Sequence, residues 1–175
     1  MERTAMKMAR EPSQASSTLF KKILVAVDGS ESSGRAAKVA LELAEKLKAD
    51  LTVLHAITPI AAYYRSSLAS GAGAIAPPPI SQKEIDAYYA YAKRVAVGIT
   101  SETVAQAEKR NVKIKTDFPE AVSSVVETIV GHAEKEHSDL IVVGTRGLGG
   151  FKKMLIGSVS SGIISHAACP VLVVR

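Results

Sequence analysis

The sequence has no tryptophan, a single cysteine and few aromatic residues, and each scarcity argues against a class of protein. The lone Cys169 cannot form a disulfide within the chain, which fits a reducing compartment. Aromatic residues make up 5% of the chain, and the basic residues are spread along it rather than clustered. Because nucleic-acid surfaces usually combine clustered basic residues with stacking aromatics, we expect no nucleic-acid partner.

Long hydrophobic runs are missing as well. No apolar run approaches the roughly 18 residues of a membrane-spanning helix, and no secretory signal is visible at the N-terminus. We therefore expect a cytoplasmic protein without a membrane partner. The 22 basic and 17 acidic residues give a net charge of +5, which favours phosphate ligands or only keeps the protein in solution. The even spread of these charges favours the second interpretation.

Two common phosphate-binding motifs are also absent. The chain has no Gly-x-x-x-x-Gly-Lys-Ser/Thr, which argues against a Walker loop. No Gly-x-Gly-x-x-Gly follows the first apolar run, which weakens a dinucleotide-binding interpretation. The segment from Asp28 to Ser33 is rich in serine but lacks the Ser-Gly-Gly-x-Asp-Ser order of ATP pyrophosphatases. Adenylating chemistry thereby loses its main support.

What the chain does contain is an alternation of strand and helix patterns. The predicted strands are Lys22–Asp28, Leu51–Ile57, Val112–Phe118, residues 140–143 and residues 170–175. Short runs rich in β-branched residues predict strands covered on both faces, whereas the alternation in Val112–Phe118 predicts an edge strand. This order predicts an α/β fold with a five-stranded, mainly parallel sheet, strand order 3-2-1-4-5, and helices on both faces.

Apolar stripes at helical spacing predict the helices between these strands. Ser30 and Ser32 are candidate N-caps of the first helix. A long helix is predicted over Gln82–Arg110, and a further one has Pro119 in its first turn. The stripe of the long helix is Ile85, Tyr88, Ala92, Val95, Ala96 and Ile99; that of the helix after Pro119 is Val122, Val125, Val126, Ile129, Val130 and Ala133.

A glycine-rich stretch joins the fourth strand to the last helix and carries the strongest functional signal. It contains Gly144 and Gly147, then Gly157 and Ser158 at the start of the helix. Glycines let a ligand approach the backbone, and free N–H groups at a helix N-terminus attract anions. Ser158 and Ser160 add hydroxyl donors, and either could cap the helix. We interpret the stretch as a phosphate-binding loop rather than as a simple turn.

Asp28 lies at the carboxyl end of the first predicted strand. In the order 3-2-1-4-5 the direction in which strands are added across the sheet reverses between the first and fourth strands. Ligands bind at the carboxyl ends of the strands at this point. Asp28 and Gly144 should therefore lie side by side. The carboxylate could accept bonds from ribose hydroxyls or hold a metal beside phosphates, or it could cap the turn that follows.

The glycines follow the pattern Gly-x-x-Gly, nine residues, Gly-Ser. On this motif the chain resembles the universal stress proteins, specifically their ATP-binding branch, over Lys21 to Arg175. The resemblance implies a Rossmann-like fold similar to the adenine nucleotide alpha hydrolases. It also implies a regulator whose nucleotide state is sensed by an unknown protein partner, and a homodimer built on Val171–Val174. The implied nucleotide is ATP, or ADP or AMP, and Mg²⁺ or Mn²⁺ is expected beside its phosphates.

The resemblance also implies how the nucleotide lies. The phosphates lie over the glycine-rich stretch, the ribose near Asp28 and Gly144, and the base near Ala26 and Ala56, with Asp28 as a metal ligand. The full set of implied nucleotide-binding residues is Ala26, Val27, Asp28, Ala56, Gly144, Arg146, Gly147, Gly157, Ser158, Val159 and Ser160.

The predicted organisation is a flexible tail, residues 1–20, followed by one nucleotide-binding domain, residues 21–175. Residues 58–81 are a long loop insertion that either folds over the nucleotide or remains in solvent. His55 is interpreted as a hydrogen-bonded core residue. Arg146, Lys152 and Lys153 either meet phosphates or are solvated.

Two alternatives to a regulator stay open. A slow ATPase or phosphotransferase is disfavoured because no general base is evident beside the loop, where Asp28 and Glu31 are the nearby carboxylates. The other alternative is a dimeric interaction module that binds no nucleotide.

Overall fold

The structure, a computed structural model, describes residues 19–62, 80–148 and 156–175. Nearly all of the predicted tail, the greater part of the predicted insertion and residues 149–155, with Lys152 and Lys153, lie outside the described residues.

Strands and helices alternate along the described chain, as predicted. In order, the elements are β1 (Lys22–Ala26), α1 (Glu31–Leu47), β2 (Asp50–Leu54), α2 (Gln82–Lys109), β3 (Ile114–Asp117), α3 (Val125–Lys135), β4 (Leu140–Gly144), α4 (Ser158–His166) and β5 (Val171–Val174). The first two strands end two and three residues earlier than predicted, which leaves Asp28 and Ala56 just beyond strand ends. Within the described residues, no helix is both long and apolar enough to cross a bilayer.

The strands form one parallel sheet in the order β3-β2-β1-β4-β5. This confirms the predicted fold class and strand order. β1 and β4 are neighbours at the centre of the sheet, with Ala26 opposite Val143. The connections run outward in opposite directions from this pair, so a crevice is expected at its carboxyl end.

Each face of the sheet is covered by a different pair of helices. Ile23, Val25 and Val53 pack with α1 and with the end of α2. Leu24, Leu54 and other residues of the alternate register pack with α3 and α4. Because successive side chains of a strand point to opposite faces, a strand covered on both sides must be apolar throughout. This is why the central strands read as continuous hydrophobic runs.

Helix α2 matches its predicted bounds to within one residue, and its less exposed face agrees with the predicted stripe except at Val95. Ala96, Thr100 and Ala107 are buried, whereas Val95, which was predicted to lie in the stripe, is 40% exposed. With 28 residues the helix is about 42 Å long, more than twice the roughly 17 Å of a five-residue strand. Only its second half can therefore cover the sheet.

The predicted start of α3 is wrong. The helix begins at Val125, and Ser124 caps it by accepting a hydrogen bond from the N–H of Glu127. The N–H of Ile57 donates to the carbonyl of Pro119 at 2.8 Å, and the N–H of Ala121 donates to Ile57 at 2.8 Å. This pairing holds the segment extended and leaves Val122, a predicted stripe residue, 74% exposed.

Candidate functional site

Two connecting segments meet at the carboxyl end of the central strand pair. The acidic turn (residues 28–33) follows β1, and the glycine loop (residues 144–148) follows β4. Since β1 and β4 are parallel neighbours, both segments leave the sheet at the same edge. The predicted proximity of Asp28 and Gly144 is therefore confirmed.

The side chain of Asp28 joins these two segments. Its Oδ1 accepts a hydrogen bond from the N–H of Ser30 at 3.0 Å, within the acidic turn. Its Oδ2 accepts one from the N–H of Leu148 at 3.2 Å, in the glycine loop. The carboxylate thus caps its own turn, as one interpretation expected, and also faces the loop that was predicted to bind phosphate.

The protonation state of Asp28 follows from its surroundings. Burial raises the pKa of the carboxyl, but hydrogen bonds from Ser30, Ser33 and the N–H of Leu148 together hold the pKa below its ordinary value of 3.8. The group is therefore an anion at neutral pH. A negative oxygen accepts hydrogen bonds from hydroxyl groups and repels phosphate, so it suits a ribose better than a phosphate.

The serines of the acidic turn have different functions. Ser30 is the N-cap of α1 and accepts a bond from the N–H of Ser33 at 3.2 Å. Ser32 is not the cap. Its buried hydroxyl accepts a bond from the N–H of Arg146 at 3.3 Å and donates to the carbonyl of Arg146. Sequence reasoning missed this contact, because Ser32 and Arg146 are 114 positions apart and share no local pattern.

The glycines of the loop permit this close approach. A methyl group on Gly144 would lie 2.6 Å from Oγ and 2.7 Å from the carbonyl carbon of Ser32. One on Gly147 would lie 2.5 Å from Oδ2 of Asp28. Such distances are well inside van der Waals contact, so larger residues would push the loop away from the turn.

Helix α4 begins at the same edge, and among the residues that the structure describes no side chain caps its N-terminus. Its N-cap is Gly157, which has no side-chain oxygen, so the expectation that Ser158 or Ser160 caps the helix is wrong. The first N–H groups of a helix have no acceptor within it. The hydroxyl of Ser160 is buried and donates to the carbonyl of Gly144 at 2.7 Å, whereas Ser158 and Val159 are exposed.

The residues predicted to hold the base lie at the ends of β1 and β2. The N–H groups of His55 and Ile57 donate toward the β3 side, to Asp117 at 3.0 Å and Pro119 at 2.8 Å. Because backbone groups alternate in direction along an extended chain, the N–H and carbonyl of Ala56 face the opposite side, toward β1. The imidazole Nδ1 of His55 is hydrogen-bonded to the carbonyl of Val27 at 2.9 Å, as interpreted, but the residue is half-buried rather than part of the core.

The structure separates Val27, an implied nucleotide-binding residue, from Ala26 and Ala56, which were assigned to the base. The side chain of Val27 belongs to the α1–α2 face of the sheet, whereas Ala26 and Ala56 pack on the α3–α4 face. Val27 also lines a hollow of about 660 Å³ between α1 and α2, together with Ser30 and Ser33 of the acidic turn. A base resting on Ala26 and Ala56 would therefore meet Val27 only through its backbone.

The side chains of the described residues do not form a metal site by themselves. Within the parts of the chain that the structure describes, no group of three His, Cys, Asp or Glu side chains could hold a metal ion. Both oxygens of Asp28 already accept backbone N–H groups. A divalent ion would thus have to take most of its oxygen ligands from phosphate and water, as Mg²⁺ commonly does.

Sequence comparison relates the chain to one family over nearly its whole length. The sequence profile of the universal stress protein family matches residues 19–175. Universal stress protein YxiE of Bacillus subtilis is 34% identical over 157 residues, which is 90% of this chain and 100% of that protein. Universal stress protein MJ0531 of Methanocaldococcus jannaschii is 32% identical, covering 90% of this chain and 83% of that protein.

Solved structures have the same fold. Universal stress protein UspA from Lactobacillus plantarum superposes with a TM-score of 0.66 at 26% identity and covers 89% of this chain and 98% of its own. More distant structures include a universal stress protein in complex with cAMP (TM-score 0.58, 24% identity, 89% and 97% covered). Another is an Arabidopsis thaliana family protein with AMP bound (TM-score 0.58, 19% identity, 88% and 90% covered). At these identities the likeness establishes the fold alone.

Proposed function

The chain belongs to the universal stress protein family, and from this premise we propose that it binds ATP and acts as a nucleotide-dependent stress regulator. The observation that carries the proposal is the meeting of the acidic turn and the glycine loop at the carboxyl end of β1 and β4. Relatives of the same fold that hold cAMP and AMP support an adenine nucleotide as the ligand class.

We assign the phosphates to the space between the glycine loop and α4. The N-cap of α4 is Gly157, which has no side chain to accept the first N–H groups, so these groups and the helix dipole favour an anion there. Gly157 lies beside the loop, with its N–H donating to the carbonyl of Thr145 at 2.7 Å. Ser158 is exposed in the first helical turn and can donate a hydroxyl hydrogen to the same oxygens.

The adenosine part is assigned to the other side of the loop. Asp28 is ionised and half-buried, which suits an acceptor for ribose hydroxyls. The N–H and carbonyl of Ala56 face the crevice together, and one donor beside one acceptor complements the acceptor and amino group on the adenine edge. A divalent ion, Mg²⁺ or Mn²⁺, accompanies the phosphates in this proposal.

Rapid ATP turnover is not part of the proposal, because the nearby carboxylates are poor general bases. Asp28 has a lowered pKa and accepts two backbone N–H groups, so it is a weak proton acceptor. The side chain of Glu31 is 90% exposed and pairs with Arg35. Binding with little hydrolysis fits a regulator whose partner, a protein not yet identified, responds to the bound nucleotide.

We further propose a homodimer through β5 in the cytoplasm. β5 lies at the edge of the sheet, and Val171–Val174 are all only partly buried. An unpaired apolar edge strand tends to associate with another strand, so a second copy would protect it. The single cysteine supports a reducing compartment.

Titration calorimetry with Mg-ATP tests the proposal. We expect saturable binding with one nucleotide per chain, and weaker binding in Asp28→Ala because a ribose acceptor is lost. Phosphate release under single-turnover conditions should be slow or absent. The control is Gly131→Ala, whose added methyl group meets no atom within 4 Å. Absence of any nucleotide binding by the folded wild type would leave the interaction module as the better account.

A further inference from the structure

The peptide unit between Arg146 and Gly147 is held in one orientation from the side of α1. The carbonyl oxygen of Arg146 accepts hydrogen bonds from the hydroxyl of Ser32 and, at 3.2 Å, from that of Ser30. The N–H of Arg146 donates to the same Ser32 oxygen at 3.3 Å. Ser32 is 6% exposed, so water does not readily replace it. One buried hydroxyl thus contacts both backbone polar groups of Arg146.

This orientation determines where the next N–H group points. In a planar trans peptide the carbonyl and the following N–H point in opposite directions. Since the carbonyl of Arg146 points toward α1, the N–H of Gly147 points away from α1. The nitrogen of Gly147 lies on the Gly157 side, 3.8 Å from the position that a methyl group on Gly157 would take. The N–H therefore faces away from α1, on the side of the loop where α4 begins.

We propose that Ser32 is a positioning residue for phosphate binding, which it serves by holding the Arg146–Gly147 peptide with its N–H facing the anion. Rotation of this peptide by half a turn would present a carbonyl oxygen to the phosphates instead. Glycine at position 147 accepts the backbone angles of either orientation, so the backbone itself does not prevent the rotation. The inference rests on the proposed nucleotide site and adds a residue that never touches the ligand.

The test compares ligands that differ only in phosphate. Affinities of wild type, Ser32→Ala and the control Ser165→Ala are measured by calorimetry for adenosine, AMP and Mg-ATP. The hydroxyl of Ser165 also donates to a carbonyl, that of Ser161 at 3.0 Å, but in the last turn of α4. We expect Ser32→Ala to weaken ATP and AMP about tenfold, the usual effect of one hydrogen bond, and to leave adenosine within about twofold.

Amide hydrogen exchange on the nucleotide-free protein provides a second measurement. The N–H of Arg146 should exchange about tenfold faster or more in Ser32→Ala, because its acceptor is removed. Alanine is a better helix former than serine, so the substitution should not weaken α1. Should Ser32→Ala fail to fold, Ser32→Cys keeps a side chain of similar length with a weak donor and is expected to shift both measurements in the same direction.

The outcomes distinguish failure of the positioning role of Ser32 from failure of the proposed nucleotide site. If wild type binds ATP and Ser32→Ala binds it equally tightly, Ser32 has no positioning role and the nucleotide site stands. An equal loss for adenosine and ATP would also overturn the inference, since the effect would then not depend on phosphate. If wild type binds none of the three ligands, the proposed function fails first and this inference fails with it.

Discussion

At the scale of single residues, the carboxylate of Asp28 accepts N–H groups from two segments that lie far apart in the chain. Ser30 is two positions away, whereas Leu148 is 120 positions away. The same carboxylate leaves no room for a side chain on Gly147. A charged group held this way joins the turn to the loop, and in the proposed function its oxygens accept ribose hydroxyls, so its removal should affect stability and binding together.

The stability contributed by Asp28 should depend on pH in a defined direction. Its pKa in the folded protein lies below the ordinary 3.8, so the folded state favours the ionised form. The contribution is complete above the unfolded pKa and is lost as the pH falls through the folded pKa. In urea unfolding, the stability difference between wild type and Asp28→Asn should stay constant from about pH 7 to about pH 5 and shrink below 3.8.

Other carboxylates titrate in both proteins, so their contributions cancel in this difference. A difference that grows on acidification would mean that Asp28 is not stabilised as an anion in the folded state.

Gly157→Val should abolish ATP binding while the fold survives. The backbone of Gly157 has φ −72° and ψ 160°, which any residue can adopt. An added methyl group would lie only 3.3 Å from the carbonyl of Thr145 and 3.4 Å from Cα of Arg146. The branched side chain of valine should therefore displace the glycine loop from α4.

Calorimetry with Mg-ATP measures the loss, and circular dichroism checks the fold. Gly131→Ala serves as the control, because its site is open. Unchanged affinity in a folded Gly157→Val protein would remove the phosphate assignment.

At the scale of elements, the helices differ in how closely neighbouring elements pack against their glycines. Gly98 and Gly131 lie within α2 and α3, and an added methyl group meets nothing within 4 Å at either position. In α4, by contrast, a methyl group on Gly162 would lie 2.7 Å from Cγ2 of Val126. Gly162 therefore permits α3 and α4 to pack closely, whereas the other two glycines only weaken their helices.

Alanine substitutions at these glycines should change stability in opposite directions. We expect Gly98→Ala and Gly131→Ala to raise the free energy of unfolding by about 0.5 to 1 kcal/mol each, through helix propensity alone. Gly162→Ala should lower it by about 1 kcal/mol or more, because overpacking outweighs the same gain. Urea denaturation of the three variants checks the signs. A stabilised Gly162→Ala would mean that α3 and α4 separate easily.

At the scale of the whole molecule, β5 leaves one edge of the sheet open. The carbonyls of Pro170 and Val174 accept N–H groups from Ile141 at 3.0 Å and Thr145 at 2.8 Å, so these residues face β4. Backbone direction alternates along the strand, which turns the polar groups of Val171 and Val173 outward. A second chain could pair with these outward groups without disturbing the sheet.

Val173→Pro should convert the proposed dimer to a monomer without unfolding it. Proline removes an outward N–H, which an edge strand tolerates, and it blocks pairing on that side. Leu172→Pro is the contrasting variant, because it removes an N–H that faces β4 and should destabilise the protein. Sedimentation velocity reports the mass of each. A Val173→Pro protein that sediments like wild type would exclude dimerisation through this edge.

Much of the fold could be predicted from the sequence because its signals are local. A strand buried on both faces has apolar residues at every position, as in β1 and β4, and a helix buried on one face has them every three or four residues, as in α1. These patterns can be recognised within a few residues of sequence. The alternation of elements favoured a doubly wound parallel sheet. The predicted meeting of Asp28 with the glycine loop required only that parallel strands end at one edge.

The tertiary structure alone decided the contacts that complete the site. Three of these contacts depend on a partner far away in sequence. They are the hydrogen bonds of Ser32 to Arg146 in place of helix capping, the inward hydroxyl of Ser160 and the extended path through Pro119. Such pairings leave no period or local motif, because hydrogen-bond geometry is satisfied only once the sheet has brought both segments together. Residue types therefore predicted where the candidate site would lie, and packing determined which of its polar groups bond to one another.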